Sequence, residues 1–499
     1  MKNNILAIDE GTTSCRAMVI SPEGQVLTSA QQEFAQSYPE NGWVEHDPIE
    51  IWRVTSKVCC DALSQLSSSE SVIGIGITNQ RETVVLWDKR TGQPVYPAIV
   101  WQDRRTANRC RDLVASGHES LIRERTGLRC DPYFSATKVE WVFEHVSGVR
   151  SLAKAGHIAL GTIDTWLIWN FTNGGSHVTD ATNASRTMLF NIHTQTWDQE
   201  LLNLFNIPES ALPSVLDSAA DFGIATSGLA GILLPIAGVA GDQHAAMVGQ
   251  ACFKAGMIKS TYGTGCFALM NLGGKSITST NHLLTTVAYR LNNQVTYALE
   301  GTIFNAGTSV QWLRDKLSVI DHANETEDLA ASLDSNNGVY LVPAFTGLGA
   351  PHWEPDARAM ICGLTRASGK AEMARAALEA VCYQTRNLLE AMLKDSGRQI
   401  SELRIDGGMV VNNWLHQALA DITERPVLRP KTIETSVLGA ARLAGLELRV
   451  FEDIKDLENT WHLDKRCEPK MSPIDLAENI KGWERAVKAC KAFTRSPQY

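Results

Sequence analysis

The sequence predicts an α/β protein of two similar domains that face each other across a nucleotide-sized cleft. One basis is length: 499 residues exceed what a single core usually organises, so two large domains or about three smaller ones are expected. A second is an internal repeat. Asn4–Ile8 reads as a strand, Gly11-Thr12-Thr13-Ser14 as a loop and Cys15–Ile20 as a returning strand. Met257–Tyr262, Gly263-Thr264-Gly265 and Cys266–Asn271 repeat that plan, and the two threonines lie 264 − 12 = 252 residues apart, about half the chain. The third is that strand and helix patterns mix along the chain in α/β style. These observations set a boundary near residue 250, with domains expected over 1–250 and 251–499.

Composition narrows the function classes. The chain is 44% hydrophobic and 20% charged, an ordinary globular balance, with a formal charge of −9. That sign argues against a general nucleic-acid or anionic-membrane binder, both of which need a basic footprint. Met1–Asp9 runs directly into a strand without the apolar stretch of a leader. The longest apolar run, Leu229–Gly241, is too short to span a bilayer and contains Pro235. Eleven cysteines form no CxxC pair and no cluster with metal-ligand spacing, so they read as reduced core thiols of a cytoplasmic protein. Adjacent Cys59-Cys60 falls on a predicted helix and carries no function.

In order, the N-terminal strands are followed by Pro22-Glu23-Gly24 and a third strand over Gln25–Phe34. Three consecutive antiparallel strands differ from a dinucleotide fold, which opens strand–helix. Asp47-Pro48-Ile49-Glu50 reads as a capping box opening a helix to about Ser67. Val72–Thr78 is a buried strand by its Val/Ile content, and Val84–Trp87 with Val95–Trp101 forms a further pair. Gln102–Ser116, Phe134–Val146 and Thr162–Phe171 read as helices. In the second half, Thr285–Arg290 and Gln294–Glu300 form a hairpin, and Ala306–Ser318 a helix. Lys370–Ser396 is a long helix closed by Gly397; Ile405–Gly408 ends a strand, Asn412–Thr423 is a helix, and Asp475–Lys491 is another.

The stretch Gly238–Phe267 concentrates the chemistry. A short apolar strand meets a Gly241-Asp242 corner, a helix begins near Gln243, and a second strand is broken by Gly263-Thr264-Gly265. A carboxylate at a strand-to-helix corner faces a cleft, and a Gly-Thr loop offers amides and a hydroxyl to phosphate. One acid beside one anion-binding loop suggests phosphoryl transfer. The competing reading makes Asp242 a helix cap and Gly263-Thr264-Gly265 an ordinary hairpin.

The residues then resemble a known family. Segments IDEGTTSCRA (8–17), GWVEHDP (42–48), ITNQRET (77–83), WQDRR (101–105), DPYFSATK (131–138), DTWLIW (164–169) and VTDATNASRTML (178–189) are similar, in order, to the glycerol kinases of the FGGY carbohydrate kinase family. So are AGDQHAA (240–246), STYGTGCF (260–267), ALEG (298–301), VPAFTGLGAP (342–351), GLTR (363–366) and DGGMVVNN (406–413). Two family signatures are intact: Tyr133–His145, with Lys138 and Trp141, and Ala359–Glu379. The resemblance runs nearly end to end and weakens beyond Ile454. It implies two ribonuclease-H-like domains of the actin-like ATPase kind, and ATP-dependent phosphorylation of glycerol to sn-glycerol 3-phosphate. It also implies Mg²⁺, a cytoplasmic location and a homodimer or homotetramer.

The resemblance assigns roles by residue. Thr12, Thr13 and Ser14 match the first phosphate loop, with Arg16 near the transferring group; the competing reading of Arg16 is a surface salt bridge. Asp9 matches the carboxylate that holds Mg²⁺ through water, with Asp242 as a second metal contact. Asp242 matches the general base. Arg81, Glu82, Tyr133, Asp242 and Gln243 match the polar side of a triol pocket, and Trp101 and Phe267 its aromatic wall. Adjacent strand residues point to opposite faces, so Arg81 and Glu82 share a ligand only if Gln80–Thr83 is loop. Thr264, Gly307, Gln311, Gly408 and Asn412 match the second phosphate loop and the adenosine pocket.

Three departures stand out. Glu10 occupies a position where the family more often has glutamine, placing an extra carboxyl beside the phosphates. His244 also replaces a more usual glutamine. Ala225–Pro235, the counterpart of a bisphosphate-binding loop in some relatives, has neither arginine nor histidine, so control by fructose bisphosphate or by a phosphorylated loop histidine is expected to be absent. Two other functions remain open on the residues: a kinase for a longer polyol or ketose, which Trp101, Tyr133 and Phe267 would crowd, and an actin- or chaperone-like ATPase, which would lack the polyol residues.

Overall fold

The computed structural model of the protein describes residues 3–66, 72–354 and 356–494. The first sheet contains β1 (Asn4–Glu10), β2 (Ser14–Ile20), β3 (Val26–Glu33), β4 (Val72–Asn79) and β5 (Leu234–Gly241). Ile224–Ala225 lies at its edge, and the spatial order onward is β5-β4-β1-β2-β3. The second sheet contains β6 (Ile258–Tyr262), β7 (Cys266–Gly273), β8 (Leu284–Leu291), β9 (Gln294–Ile303), β10 (Leu403–Asp406), β11 (Val427–Pro430) and β12 (Leu463–Cys467), ordered β8-β9-β7-β6-β10-β11-β12.

The repeat is visible in strand sense. β1 runs antiparallel to β2 and β2 to β3, while β4 lies parallel to β1 and β5 parallel to β4. β6, β7, β9, β10 and β11 repeat these senses and this order. The first sheet is thus copied in the second, and each Gly-Thr loop joins corresponding strands of its copy. This is the duplicated two-domain α/β architecture that the resemblance implied.

β1 is apolar along its length because both faces are covered. Leu6 and Ile8 pack with Ile51 and Val54 of α1 (Pro48–Ser64). Ile5 and Ala7 point the other way. They meet Val437, Leu438 and Ala441 on a later helix of the chain, Thr435–Glu447. That helix belongs to the second half of the sequence yet seats on the first sheet and on the helix Asp242–Gly249. Small residues permit it: a Cβ on Gly76 would lie 2.2 Å from the Ala440 carbonyl oxygen, and one on Gly439 would lie 1.8 Å from that of Ala245. The two halves are therefore joined there by close backbone packing.

Several expected elements are shorter than their sequence pattern. Helix Gln102–Ser116 contracts to Ala107–Ala115. The Asp103 carboxylate takes the Val44 and Arg105 backbone N–H groups at 2.7 and 2.9 Å, holding Gln102–Thr106 in turns instead. Strand Val95–Trp101 reduces to Ala98–Ile99, and helix Ala306–Ser318 to Gly307–Asp315. Asp47 caps α1 through the Ile49 N–H at 2.9 Å, but Glu50 faces Arg53 at 3.8 Å and does not complete a capping box. The helix ends at Ser64; Ser67, its expected end, lies outside the described residues. Lys370–Ser396 has the expected bounds, with Gly397 in the left-handed region at φ 63°.

Candidate active site

The first Gly-Thr loop is held by its own backbone. The Gly11 N–H donates to the Ser14 carbonyl at 3.0 Å, and the Thr13 carbonyl accepts from Phe34 at 3.2 Å. Thr12, Thr13 and Ser14 are not buried, and Trp101 Nε1 donates to Thr12 Oγ1 at 2.9 Å. A half-buried aromatic of the expected pocket wall is therefore tied to the loop. Gln31 Nε2 donates to Ser14 Oγ at 3.0 Å, and Arg16 donates to Gln31 Oε1 at 2.8 and 3.0 Å. Arg16 also makes an ion pair, 2.7 Å from Glu434, as its competing reading expected. Its partner, however, immediately precedes the helix Thr435–Glu447, so the pair joins the two halves of the chain.

Asp9 pairs in register with Arg16 across β1 and β2. Burial, followed by the Asp242 and Glu434 carboxylates, raises its pKa to about 7, while Arg16 opposes the rise. Glu10 is fully buried and has no cationic partner among the described residues; Gln80 Nε2 donates to its two oxygens at 3.3 and 3.2 Å. Burial raises the Glu10 pKa well above its ordinary value, and Asp9 adds to the rise. Burial thus disfavours a charge on this extra carboxyl, the Gln80 hydrogen bonds oppose that shift, and its shape is close to that of glutamine.

The second loop is a three-residue hairpin between β6 and β7, with Tyr262 opposite Cys266. The Gly263 carbonyl accepts from Gly307 at 3.0 Å, and the Thr264 carbonyl accepts from Ala306 at 3.0 Å and Thr308 at 3.2 Å. The start of helix Gly307–Asp315 is consequently locked onto the loop. A Cβ on Gly307 would lie 2.7 Å from the Gly263 oxygen, which excludes any larger residue there. Gln311 is exposed on that same helix, and Gly408 is exposed at the start of the short 3-10 turn Gly408–Val411. Asn412 is engaged by the protein: its Oδ1 caps the helix Asn413–Thr423 through Leu415 N–H at 2.9 Å, and its Nδ2 donates to Thr326 at 3.3 Å.

Between the loops, charged side chains form a continuous buried chain. Gln80–Thr83 is loop, as required, and Glu82 has φ 61°. That left-handed residue breaks strand alternation and lets Arg81 and Glu82 turn to one region. Asp242 begins the helix Asp242–Gly249 rather than preceding it, with Gly241 at the cap position. Its Oδ1 lies 3.1 Å from Arg81 Nε and accepts the Gln243 N–H at 2.6 Å. Oδ2 has no hydrogen-bond partner among the described residues. Arg81 also reaches Glu300 at 2.5 and 3.2 Å and Tyr133 Oη at 3.5 Å. Arg186 joins Glu82 at 2.6 Å to Glu300 at 2.9 Å.

Although burial alone would raise it, Arg186 and Arg81 hold the Glu300 pKa at about 2. The Arg81 guanidinium lies 5.8 Å from the Phe267 ring centre, and Trp101 meets Tyr133 edge-on at 5.6 Å. Trp101, Tyr133 and Phe267 are all only half-buried, so they line a surface rather than fill a core. The structure thus gathers Arg81, Glu82, Trp101, Tyr133, Asp242 and Phe267. His244 is fully buried on the same helix, its Nε2 3.2 Å from Thr286 Oγ1, and burial with Arg81 and Arg186 keeps its imidazole neutral.

Sequence reasoning did not single out Glu300, Arg186, Glu434 or Lys259. Glu300 and Lys259 carried a signal, being the charged residues of otherwise uncharged strands. Their roles depend on partners that sequence spacing does not reveal.

The donor set suits a hard dication held partly through water and phosphate. Asp9 and Asp242 supply carboxylate oxygens, and their mutual repulsion marks a deficit of positive charge. Among the described residues, no group of three or more His, Cys, Asp or Glu side chains could cage a metal with protein ligands alone. An acid with one open oxygen, flanked by two hydroxyl-bearing Gly loops, can accept a proton beside a bound polyphosphate.

Comparison with known proteins shows the family and the fold. The N-terminal domain model of the FGGY family of carbohydrate kinases matches residues 4–249, and the C-terminal domain model matches residues 258–448. The chain is 54% identical over 493 residues to glycerol kinase 1 of Pseudomonas aeruginosa, covering 99% of this chain and 100% of that one. The crystal structure of Plasmodium falciparum glycerol kinase with ADP superposes with a TM-score of 0.92 at 36% identity, covering 98% of each chain. Gluconate kinase from Lactobacillus acidophilus, at 22% identity, has a TM-score of 0.89 over 99% of each chain. That last likeness concerns the fold alone, and fold does not choose a substrate.

Proposed function

The chain belongs to the FGGY family of carbohydrate kinases, and we propose that it transfers the γ-phosphoryl group of ATP to glycerol, giving sn-glycerol 3-phosphate. The observation that carries this reading is the Asp242 carboxylate. One oxygen is fixed by Arg81 and a backbone N–H, and the other has no hydrogen-bond partner among the described residues, while Arg81 itself reaches Tyr133 and the Phe267 ring. Family membership and the similarity to proteins named glycerol kinase support the choice of acceptor.

In the proposed reaction, Arg81, Glu82, Tyr133 and Gln243 bind the triol's hydroxyls while Trp101 and Phe267 cover its C–H face. Glu82 accepts Arg186 through one oxygen, and its other oxygen has no partner among the described residues. Asp242 Oδ2 orients one terminal hydroxyl. As that oxygen attacks the γ-phosphorus in line, its O–P bond forms and the bond to the ADP oxygen breaks, with electrons passing to ADP. The proton goes to Asp242, late, when the attacking oxygen has become acidic. Orientation therefore contributes more than basicity.

Thr12, Thr13, Ser14 and Thr264 bind the phosphates, and Arg16 stabilises charge on the transferring group. Gly307, Gln311, Gly408 and Asn412 form the adenosine side, Asn412 through its backbone and edge because its carboxamide is already bonded. Asp9 and Asp242 would hold Mg²⁺, which supplies neutralisation of phosphate charge when bound. The domains are proposed to divide at residue 250 and to close over the substrates, excluding water. We extend the reading to a cytoplasmic homodimer or homotetramer on the resemblance alone; sedimentation of the purified chain distinguishes these from a monomer.

Asp242→Asn tests the mechanism. The general-base share predicts that kcat falls by about 10²–10⁴-fold, with ATP affinity changed little. A variant within tenfold of the wild-type kcat would contradict the role.

A further inference from the structure

Lys259 lies within β6 and is fully buried, yet among the described residues it forms no ion pair. Its ammonium donates to Gln243 Oε1 and, at 3.0 Å, to Thr261 Oγ1. The Thr261 hydroxyl bonds in turn to Asp406, the last residue of β10, from which the Gly407-Gly408 turn departs. Burial pulls the Lys259 pKa down, and Asp406 and Asp242 oppose that shift. Keeping such a group inside is costly, so its contacts call for an account beyond packing.

Hydrogen-bond chemistry supplies one. The two ends of a glutamine carboxamide look alike, and its orientation has to be assigned from its partners. A lysine ammonium has three donors and no acceptor. The atom of Gln243 that meets it is therefore the carbonyl oxygen, and the NH₂ group takes the opposite fork. That Nε2 has no protein partner among the described residues and is not among the buried unpaired atoms, so it is not sealed from the cleft. Gln243 follows Asp242 directly on the same helix.

We propose that Lys259 is a positioning residue for acceptor specificity: it fixes the Gln243 carboxamide with its NH₂ toward the pocket, where it donates to a hydroxyl oxygen of the polyol. The proposal rests on the reading of Gln243 as an acceptor ligand. Without Lys259 the carboxamide is free to turn its oxygen to where a donor is required. The effect belongs to the acceptor, because Lys259 touches no part of either phosphate loop.

Steady-state kinetics on Lys259→Met, Gln243→Ala and the double variant test this. Loss of one neutral hydrogen bond predicts that each single variant raises the glycerol KM about tenfold. The ATP KM should stay within about twofold, and the double variant should be no worse than Gln243→Ala alone. Equal changes in both KM values, or an effect of Lys259→Met that adds in full to Gln243→Ala, would overturn the proposal. A normal glycerol KM in Gln243→Ala overturns it through the ligand assignment, whereas a raised KM there with a normal one in Lys259→Met overturns it through the lysine. Gln243→Glu covers the case in which Lys259→Met fails to fold. It keeps the lysine contact as an ion pair but removes the donor, so the melting temperature should not fall while the glycerol KM rises. A normal glycerol KM in that variant sinks the idea.

Discussion

Glu300→Gln probes the buried charge chain at its centre. Glu300 comes from the second sheet and receives three donors: Arg81 Nη1 and Nη2 at 2.5 and 3.2 Å, and Arg186 Nη2 at 2.9 Å. All three side chains are at most 3% exposed. A glutamine keeps the shape but offers one acceptor, and its NH₂ faces at least one guanidinium donor without compensation. Two buried cations would then share only Glu82 and Asp242. Breaking a buried pair costs about 3–5 kcal/mol, and one charge-assisted hydrogen bond about 1.5–3 kcal/mol. The amide retains part of the network, so a loss of about 3 kcal/mol is expected.

Because Arg81 also fixes Asp242, the loss should appear in catalysis. If the full amount is expressed there, kcat/KM for glycerol falls by roughly 10²-fold. Coupled turnover assays against glycerol and against ATP measure this, with thermal unfolding in parallel. The expected result is a large glycerol defect, a smaller ATP defect and a lower melting temperature. The Glu300 pKa of about 2 predicts that the wild-type contact persists down to acidic pH. A variant with normal glycerol kinetics and normal melting would refute the reasoning.

Other outcomes follow from neighbouring residues. Glu10→Gln should leave kcat and both KM values within about twofold, since burial and Asp9 already disfavour a charge at Glu10, opposed only by the Gln80 hydrogen bonds, and glutamine keeps the shape; a tenfold fall in turnover would mean that a charge is used there. Trp101→Phe removes the donor to Thr12 Oγ1, so the ATP KM as well as the glycerol KM should rise, by roughly fivefold for one hydrogen bond. A change confined to glycerol would show that the tie to the loop is inert. Lys138 donates to the carbonyls of Pro132, Tyr133 and Phe134, and burial lowers its pKa from 10.5 to about 8. Between those values the unfolded chain binds more protons than the folded one, so stability from this group rises with pH. Denaturant midpoints should show the wild type gaining on Lys138→Met from pH 8 to 10, by on the order of 3 kcal/mol at most. A difference independent of pH would contradict the burial of a titrating ammonium.

What the sequence revealed was mostly local. Apolar runs ending in Gly-Thr marked β1, β2, β6 and β7, and their recurrence half a chain apart exposed the duplication. Strand parity alone required Gln80–Thr83 to be loop, and the positive φ of Glu82 is the device that achieves it. The buried charge chain was illegible because its contacts are remote: Arg81 and Glu300 are separated by 219 positions and Glu82 and Arg186 by 104. Arg16 illustrates the ambiguity that remains within one residue. Its salt bridge is real, but only the fold places Glu434 at the junction of the two halves. Helix Thr435–Glu447 likewise gave no sign that it would cross to the first sheet, since small residues at Gly439 and Ala440 resemble ordinary helix filler until Gly76 is brought against them. The overlong helix at Gln102 arose because an Asp103 side chain outcompeted helical hydrogen bonds with backbone partners 59 and 2 positions away.

The central claim is that the pocket of Arg81, Glu82, Trp101 and Asp242 selects glycerol as the phosphoryl acceptor. The most direct measurement is ATP turnover by the purified protein with Mg²⁺, without acceptor and with glycerol, erythritol or D-xylulose. Phosphorylation of glycerol far above the others is the predicted result. A preference for a longer acceptor, or hydrolysis of ATP at the same rate whatever is added, would contradict it.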